Sequence, residues 1–170
     1  MTTQGVPAGV RRETEQRLRR LARIAEVLID GEVFKGIVAD PAVAGGDDYR
    51  VDDEKFIVVK KFLLKLKRIE KGDVSAQTWR PFANKDGVPC AVVVVPVDPH
   101  PRDVKGIHPL SAALKKAFDG GTGVEVLTFN NAPLLSVCAP IRDSLGDIVG
   151  VVEVFGSLAP RKYKVDRLRY

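Results

Sequence analysis

Residues Pro133 to Ser157 read PLLSVCAPIRDSLGDIVGVVEVFGS, two strand-like runs joined by a short turn. In the first run Leu135, Val137, Ala139 and Ile141 fall on one side of a period-2 ribbon, with Leu134, Ser136 and Cys138 on the other. One face is therefore wholly apolar and the opposite face carries polar atoms. Asp143, Ser144 and Gly146 supply turn chemistry. The chain then resumes from Asp147 to Phe155 as a run rich in β-branched residues. The pair predicts an antiparallel hairpin that closes a sheet.

Val124 to Phe129 reads as the strand before this hairpin, turning into it through Asn130-Asn131-Ala132-Pro133. Pro109 suits the first turn of a short helix with Leu110, Ala113, Leu114, Ala117 and Phe118 on one stripe and Gly120-Gly121 after it. Residues 98–108, DPHPRDVKGIH, break every periodic pattern and predict a long loop. Before that loop, a strand at Ala76 to Arg80 turns through Asn84-Lys85-Asp86-Gly87 and returns along Val88 to Val97, Asp-Gly being a strong hairpin signal. Pro81 and Pro89 lack backbone donors and belong at an edge or a bulge.

Two helices precede the sheet. Leu18, Leu21, Ala22, Ala25, Leu28 and Ile29 recur at helical spacing, with Arg17, Arg20, Arg23 and Glu26 on the opposite face. The subset Leu18, Leu21, Ala25 and Leu28 also fits an a/d pattern, so a homodimer through this helix stands beside packing on the chain's own sheet. A second helix is capped by Asp52 or Asp53 and runs to Lys71, its stripe formed by Phe56, Val59, Leu63, Leu66 and Ile69. The expected organisation is a flexible stretch at 1–12, a single domain at 13–158 and a basic tail at 159–170.

With 170 residues, 45% hydrophobic and 29% charged, the chain can bury one sizeable core. Its apolar runs are too short to span a bilayer, and Met1 to Pro7 lacks the features of a secretory signal. The net charge of +5 is concentrated in Arg161, Lys162, Lys164, Arg167 and Arg169, a pattern of a solvated tail that argues against nucleic-acid binding. Cys90 and Cys138 fall in strands, and with His100 and His108 they show no ligand-like spacing, so no structural zinc site and no cofactor is expected. Asp47, Asp48, Asp52, Asp53 and Glu54 resemble a calcium cluster in composition only and lack an EF-hand's alternation and glycine. No Gly-x-Ser-x-Gly elbow, P-loop or HExxH pair is present, and Asp119-Gly120-Gly121-Thr122-Gly123 leaves a helix where a dinucleotide loop would open one. An enzyme is not expected.

Ala139-Pro140-Ile141-Arg142-Asp143, the glycine three positions on and Ile148-Val149-Gly150-Val151-Val152-Glu153-Val154 resemble the final hairpin of Cache (PAS-like) sensor domains. The resemblance implies an α+β fold, an antiparallel five-stranded PAS/Cache-like sheet with the long N-terminal helix on one face. GAF domains place a similar hairpin near their C-terminus and are the structural runner-up. Amino-acid-binding members of the family carry an arginine followed closely by Trp-Tyr, whereas here Trp79-Arg80 stands in reversed order, so that site is not carried over.

The function so implied is a small-molecule-binding sensor domain without its own output domain, signalling through a partner or its own oligomer. The alternative is a non-catalytic interaction or scaffold protein whose pocket is filled by side chains such as Trp79, Phe82 and Phe129. By position, Lys105, His108 and Ser111 are candidate ligand-binding residues, since in Cache domains a comparable loop and short helix help to close the pocket. Ser136 and Cys138 join them from the polar face of the hairpin, and Arg80 could hold a carboxylate ligand bidentately. The location expected is cytoplasmic if the chain is complete and extracytoplasmic if it is a piece of a membrane receptor.

Overall fold

A computed structural model describes residues 6–38, 53–70, 74–98 and 107–158. The chain opens with α1 (Ala8–Leu28), a short α2 (Gly31–Lys35) and α3 (Glu54–Ile69). There follow β1 (Val74–Ala83), β2 (Pro89–Pro96), β3 (Ile107–Pro109), α4 (Ala112–Phe118), β4 (Gly123–Phe129), β5 (Ala132–Arg142) and β6 (Ile148–Ser157). All pairings are antiparallel, in the order β3-β2-β1-β6-β5-β4. The last strand therefore lies in the middle of the sheet beside the first.

The α+β expectation holds, with one strand more than expected. Ile107 and His108, at the end of the stretch read as loop, and Pro109, read as the first turn of the short helix, instead pair with Cys90 to Val92 as a short edge strand. Helix α4 begins later, at Ala112 after its cap Ser111. Three residues with a proline among them carry no period-2 signal. Helix α1 also starts earlier than its apolar pattern, at Ala8, within the stretch expected to be irregular. Pro81 keeps its place in β1 because the β6 pairing has ended at Trp79, so its missing donor costs no ladder bond on that side. The β1–β2 turn is built as its sequence predicts: Asn84 Oδ1 accepts from the Asp86 and Val88 amides, and Gly87 takes a φ of 72°.

One face of the sheet holds most of the core. Leu18, Leu21, Ala22 and Ala25 of α1 pack on Leu135, Val137, Ala139 and Ile141 of β5 and Val152 and Val154 of β6, while Phe56, Val59, Leu63 and Leu66 of α3 continue the same core over β1 and β2, with Val74, Ala76 and Val94. The a/d subset of α1 is thus spent on the chain's own sheet, except for Leu28, which is 61% exposed beside Ile24 and Val27. Asp53 caps α3 by accepting from the Phe56 amide.

Helix α2 fills the end of the same face. Its Phe34 lies against Gly150, where a Cβ would stand 2.2 Å from the Phe34 ring and 2.7 Å from the Trp79 carbonyl oxygen. Lys35 of α2 reaches Asp143 in the β5–β6 turn at 3.1 Å. That hydrogen bond, with those from the Leu145 and Asp147 amides, holds the Asp143 carboxyl below the usual carboxylate range, and the same pairing raises Lys35.

The other face carries α4 and a smaller cluster formed by Trp79, Ala91, Val93, Ala113, Leu114, Ala117, Cys138 and Val151. Helix and sheet meet closely at Gly123, where a Cβ would fall 2.0 Å from the Ala113 carbonyl oxygen. Cys90 and Cys138 are both buried and not joined in a disulfide, on strands separated by β1 and β6.

Candidate functional site

Strand alternation decides what the α4 face receives. If Leu135 and Val137 point to α1, then Ser136 and Cys138 point to α4, and Glu153 and Val151 follow on β6 because they flank the inward-facing Val152 and Val154. Register then aligns the polar residues across strands. Gln77 of β1 faces Glu153 of β6, Glu153 faces Cys138 of β5, and Glu125 of β4 faces Ser136.

At the centre of this row is the Glu153 carboxylate, fully buried. It accepts from Gln77 Nε2 at 2.9 Å and Trp79 Nε1 at 2.7 Å on one oxygen, and from Ser136 Oγ at 2.5 Å on the other. Burying a carboxylate is costly unless hydrogen bonds replace its hydration. Here tryptophan, glutamine and serine supply part of that replacement, which explains why these polar side chains are tolerated in a sheet interior. Ser136 Oγ also lies 3.9 Å from Cys138 Sγ. Glu125, Cys138 and Glu153 each offer an atom within 4.8 Å of the others.

Two further residues border the cluster. Ser111 caps α4, accepting from the Leu114 amide, and donates to Glu125 Oε1 at 2.9 Å, so the roofing helix is tied to the edge strand. The His108 ring on β3 meets Trp79 edge-on, with centroids 5.5 Å apart.

Of the residues expected from sequence, Ser111, Ser136, Cys138 and His108 lie on this face, in or beside one neighbourhood. Arg80 does not join them. Its guanidinium lies on the α1 side, where it donates to the Ile37 and Phe34 carbonyl oxygens at 2.6 Å each and stacks 5.1 Å from the Phe34 ring. It closes the end of α2. A strand presents neighbours to opposite faces, so Trp79 on the α4 face puts Arg80 on the other. Lys105 and His100 lie outside the described residues, as do the acidic positions 47, 48 and 52 and the basic tail. Glu153, Gln77 and Glu125 are additions. The signal for Glu153 was a single acidic residue inside the run Val151 to Phe155, where a charge in an interior strand requires partners.

No protein-family model and no curated protein matches the chain. Solved structures do. The sensor domain of E. coli DcuS superposes with a TM-score of 0.54 at 18% identity, covering 88% of this chain and 92% of that one. The fold is that of the Cache, or PAS-like, sensor domains. Two structures of the Campylobacter jejuni chemoreceptor Tlp3 also align, its sensory domain and its ligand-binding domain in complex with 4-methylisoleucine. Their TM-scores are 0.44 and 0.41, each at 9% identity over 88% of this chain, which spans 55% and 53% of their lengths. In the Cache fold described here, the Glu153 row lies on the face opposite α1, roofed by α4.

Proposed function

We propose that the chain is a small-molecule-binding sensor module whose ligand seats on the α4 face of the sheet, against Glu153, Glu125, Ser136 and Cys138. The observation that carries this function is the fully buried Glu153 carboxylate in a central strand, oriented by Trp79, Gln77 and Ser136. Apolar side chains of the same volume would stabilise the sheet at less desolvation cost, so a row of polar groups here is better explained by recognition than by packing. The DcuS domain, named as a sensor domain, supports the sensor assignment by fold.

A second function is favoured by one observation. Trp79, Ala113, Leu114 and Ala117 are buried against one another on this face, as in a scaffold protein whose pocket is filled. Thermal-shift screening of the purified chain against a metabolite panel, with native mass spectrometry before and after denaturation, separates the two. A co-purified molecule lost on denaturation, or a compound that raises Tm by several degrees, is the expected result. A bare chain that no compound stabilises assigns the scaffold function. A sensor of this kind passes its state on through the exposed side of α1, which we assign to a second copy of the chain.

A further inference from the structure

Among the described residues, Gln77, Trp79 and Ser136 donate to the Glu153 carboxylate. Glu125, Cys138 and Glu153 present two carboxylates and a sulfur within 4.8 Å of one another. Gln77 is fully buried, and while its amide nitrogen donates to Glu153, its Oε1 has no hydrogen-bond partner among the described residues. A buried amide oxygen without a partner is rare in a native fold and asks for a ligand. It belongs to the residue paired directly across from Glu153, so its amide head is part of the same cluster.

We propose that Glu125, Cys138 and Glu153 bind a thiophilic divalent cation of the zinc class, with Gln77 Oε1 as a further acceptor beside it. This inference rests on the α4 face being the ligand-binding face and names the class of ligand. The chemistry of the set selects the metal. A sulfur ligand disfavours magnesium and calcium, which take oxygen, and favours zinc. Metal–ligand distances of about 2.0–2.3 Å in a tetrahedral site place ligand atoms about 3.5 Å apart. Glu125 is on an edge strand and only half buried, so a rotamer change there closes the spacing. The hydrogen bonds from Trp79, Gln77 and Ser136 hold the Glu153 carboxylate in orientation, as outer partners do for metal ligands. On binding, the metal replaces the Cys138 thiol proton, which leaves to solvent.

The sequence conceals such a site because its ligands come from three adjacent strands. None is near another in the chain.

The test is a cobalt titration of the purified full chain after chelator treatment. Cobalt(II) at one equivalent should give a near-ultraviolet sulfur-to-metal charge-transfer band with the visible bands of a four-coordinate ion, and zinc should abolish both. Titration in two buffers of different ionisation enthalpy should show about one proton released per metal. Cys138→Ser should remove the band and Cys90→Ser should leave it. Glu125→Gln, at a half-buried edge position, should weaken binding at least tenfold, which keeps the test sound if Cys138→Ser unfolds. A missing thiolate band at one equivalent, or a band that survives Cys138→Ser in folded protein, overturns the inference. A metabolite that stabilises the chain without any cobalt band overturns the metal and leaves the sensor function standing. A cobalt band in a chain that no metabolite stabilises supports the metal and removes only the organic ligand.

Discussion

Glu153 has a structural role that can be measured apart from any ligand. It accepts from Gln77, Trp79 and Ser136 in a fully buried position, and truncation would take this acceptor from three buried donors at once. Each buried donor left unsatisfied costs about 1–3 kcal/mol. Glu153→Ala should therefore lower the unfolding free energy by about 3 kcal/mol or more, read from urea denaturation at an unchanged slope. A loss below about 1 kcal/mol would mean that water repairs the site and that the cluster does not hold the sheet together. At this scale the sequence was legible in part. Alternation alone put Ser136 and Cys138 on the polar face of the hairpin, and position alone put Ser111 and His108 near it. Arg80 was separated from them by the same alternation, but which face of β1 is the polar one follows only from the pairing of Gln77 with Glu153, a contact between residues far apart in the chain.

Between elements, the junction of α3, β1 and the end of β2 is tied by charge. Asp98 accepts from Lys67 Nζ of α3 and from Ser75 Oγ of β1, each at 2.6 Å, while Lys60 Nζ reaches the Pro96 carbonyl oxygen at 2.5 Å. Partial burial pushes the Asp98 carboxyl up, but the hydrogen bonds from Lys67 and Ser75 outweigh it and hold the group below the usual carboxylate range. A carboxylate whose folded pKa is depressed stabilises the fold above its unfolded value of about 3.9, and that contribution is lost as pH falls through the lower folded value. The stability difference between the wild type and Asp98→Asn should thus be constant from neutral pH to about 5 and shrink below about 4, measured by denaturation at each pH. A difference that stays flat down to pH 2 would show that Asp98 is held by geometry without electrostatic linkage. Helices α1, α3 and α4 and the two hairpins were legible from periodicity and turn residues because each repeats its pattern over several turns or pairs. Strand β3 was not, since three residues give no period and its place is fixed by the β2 edge.

For the molecule as a whole, the open question is what α1 does with the side it does not spend on the sheet. Leu18, Leu21 and Ala25 are buried in the chain's own core, yet Ile24, Val27 and Leu28 line a shallow apolar groove of about 500 Å³ with Arg20 and Arg23. Val27 is 74% exposed there. Packing of α1 against its own sheet is thus compatible with a dimer through its outer face, because the two contacts use different stripes of one helix. A dimer that hides this groove should be dispersed by Val27→Lys, which places a hydrated ammonium in an apolar contact without touching the buried stripe. Sedimentation equilibrium should show the wild type associating and the variant as a monomer with the wild-type thermal midpoint at matched low concentration. If the wild type is itself monomeric at tens of micromolar, the outer face of α1 is not a self-association surface, and a sensor module built on this sheet must pass its signal to a different partner.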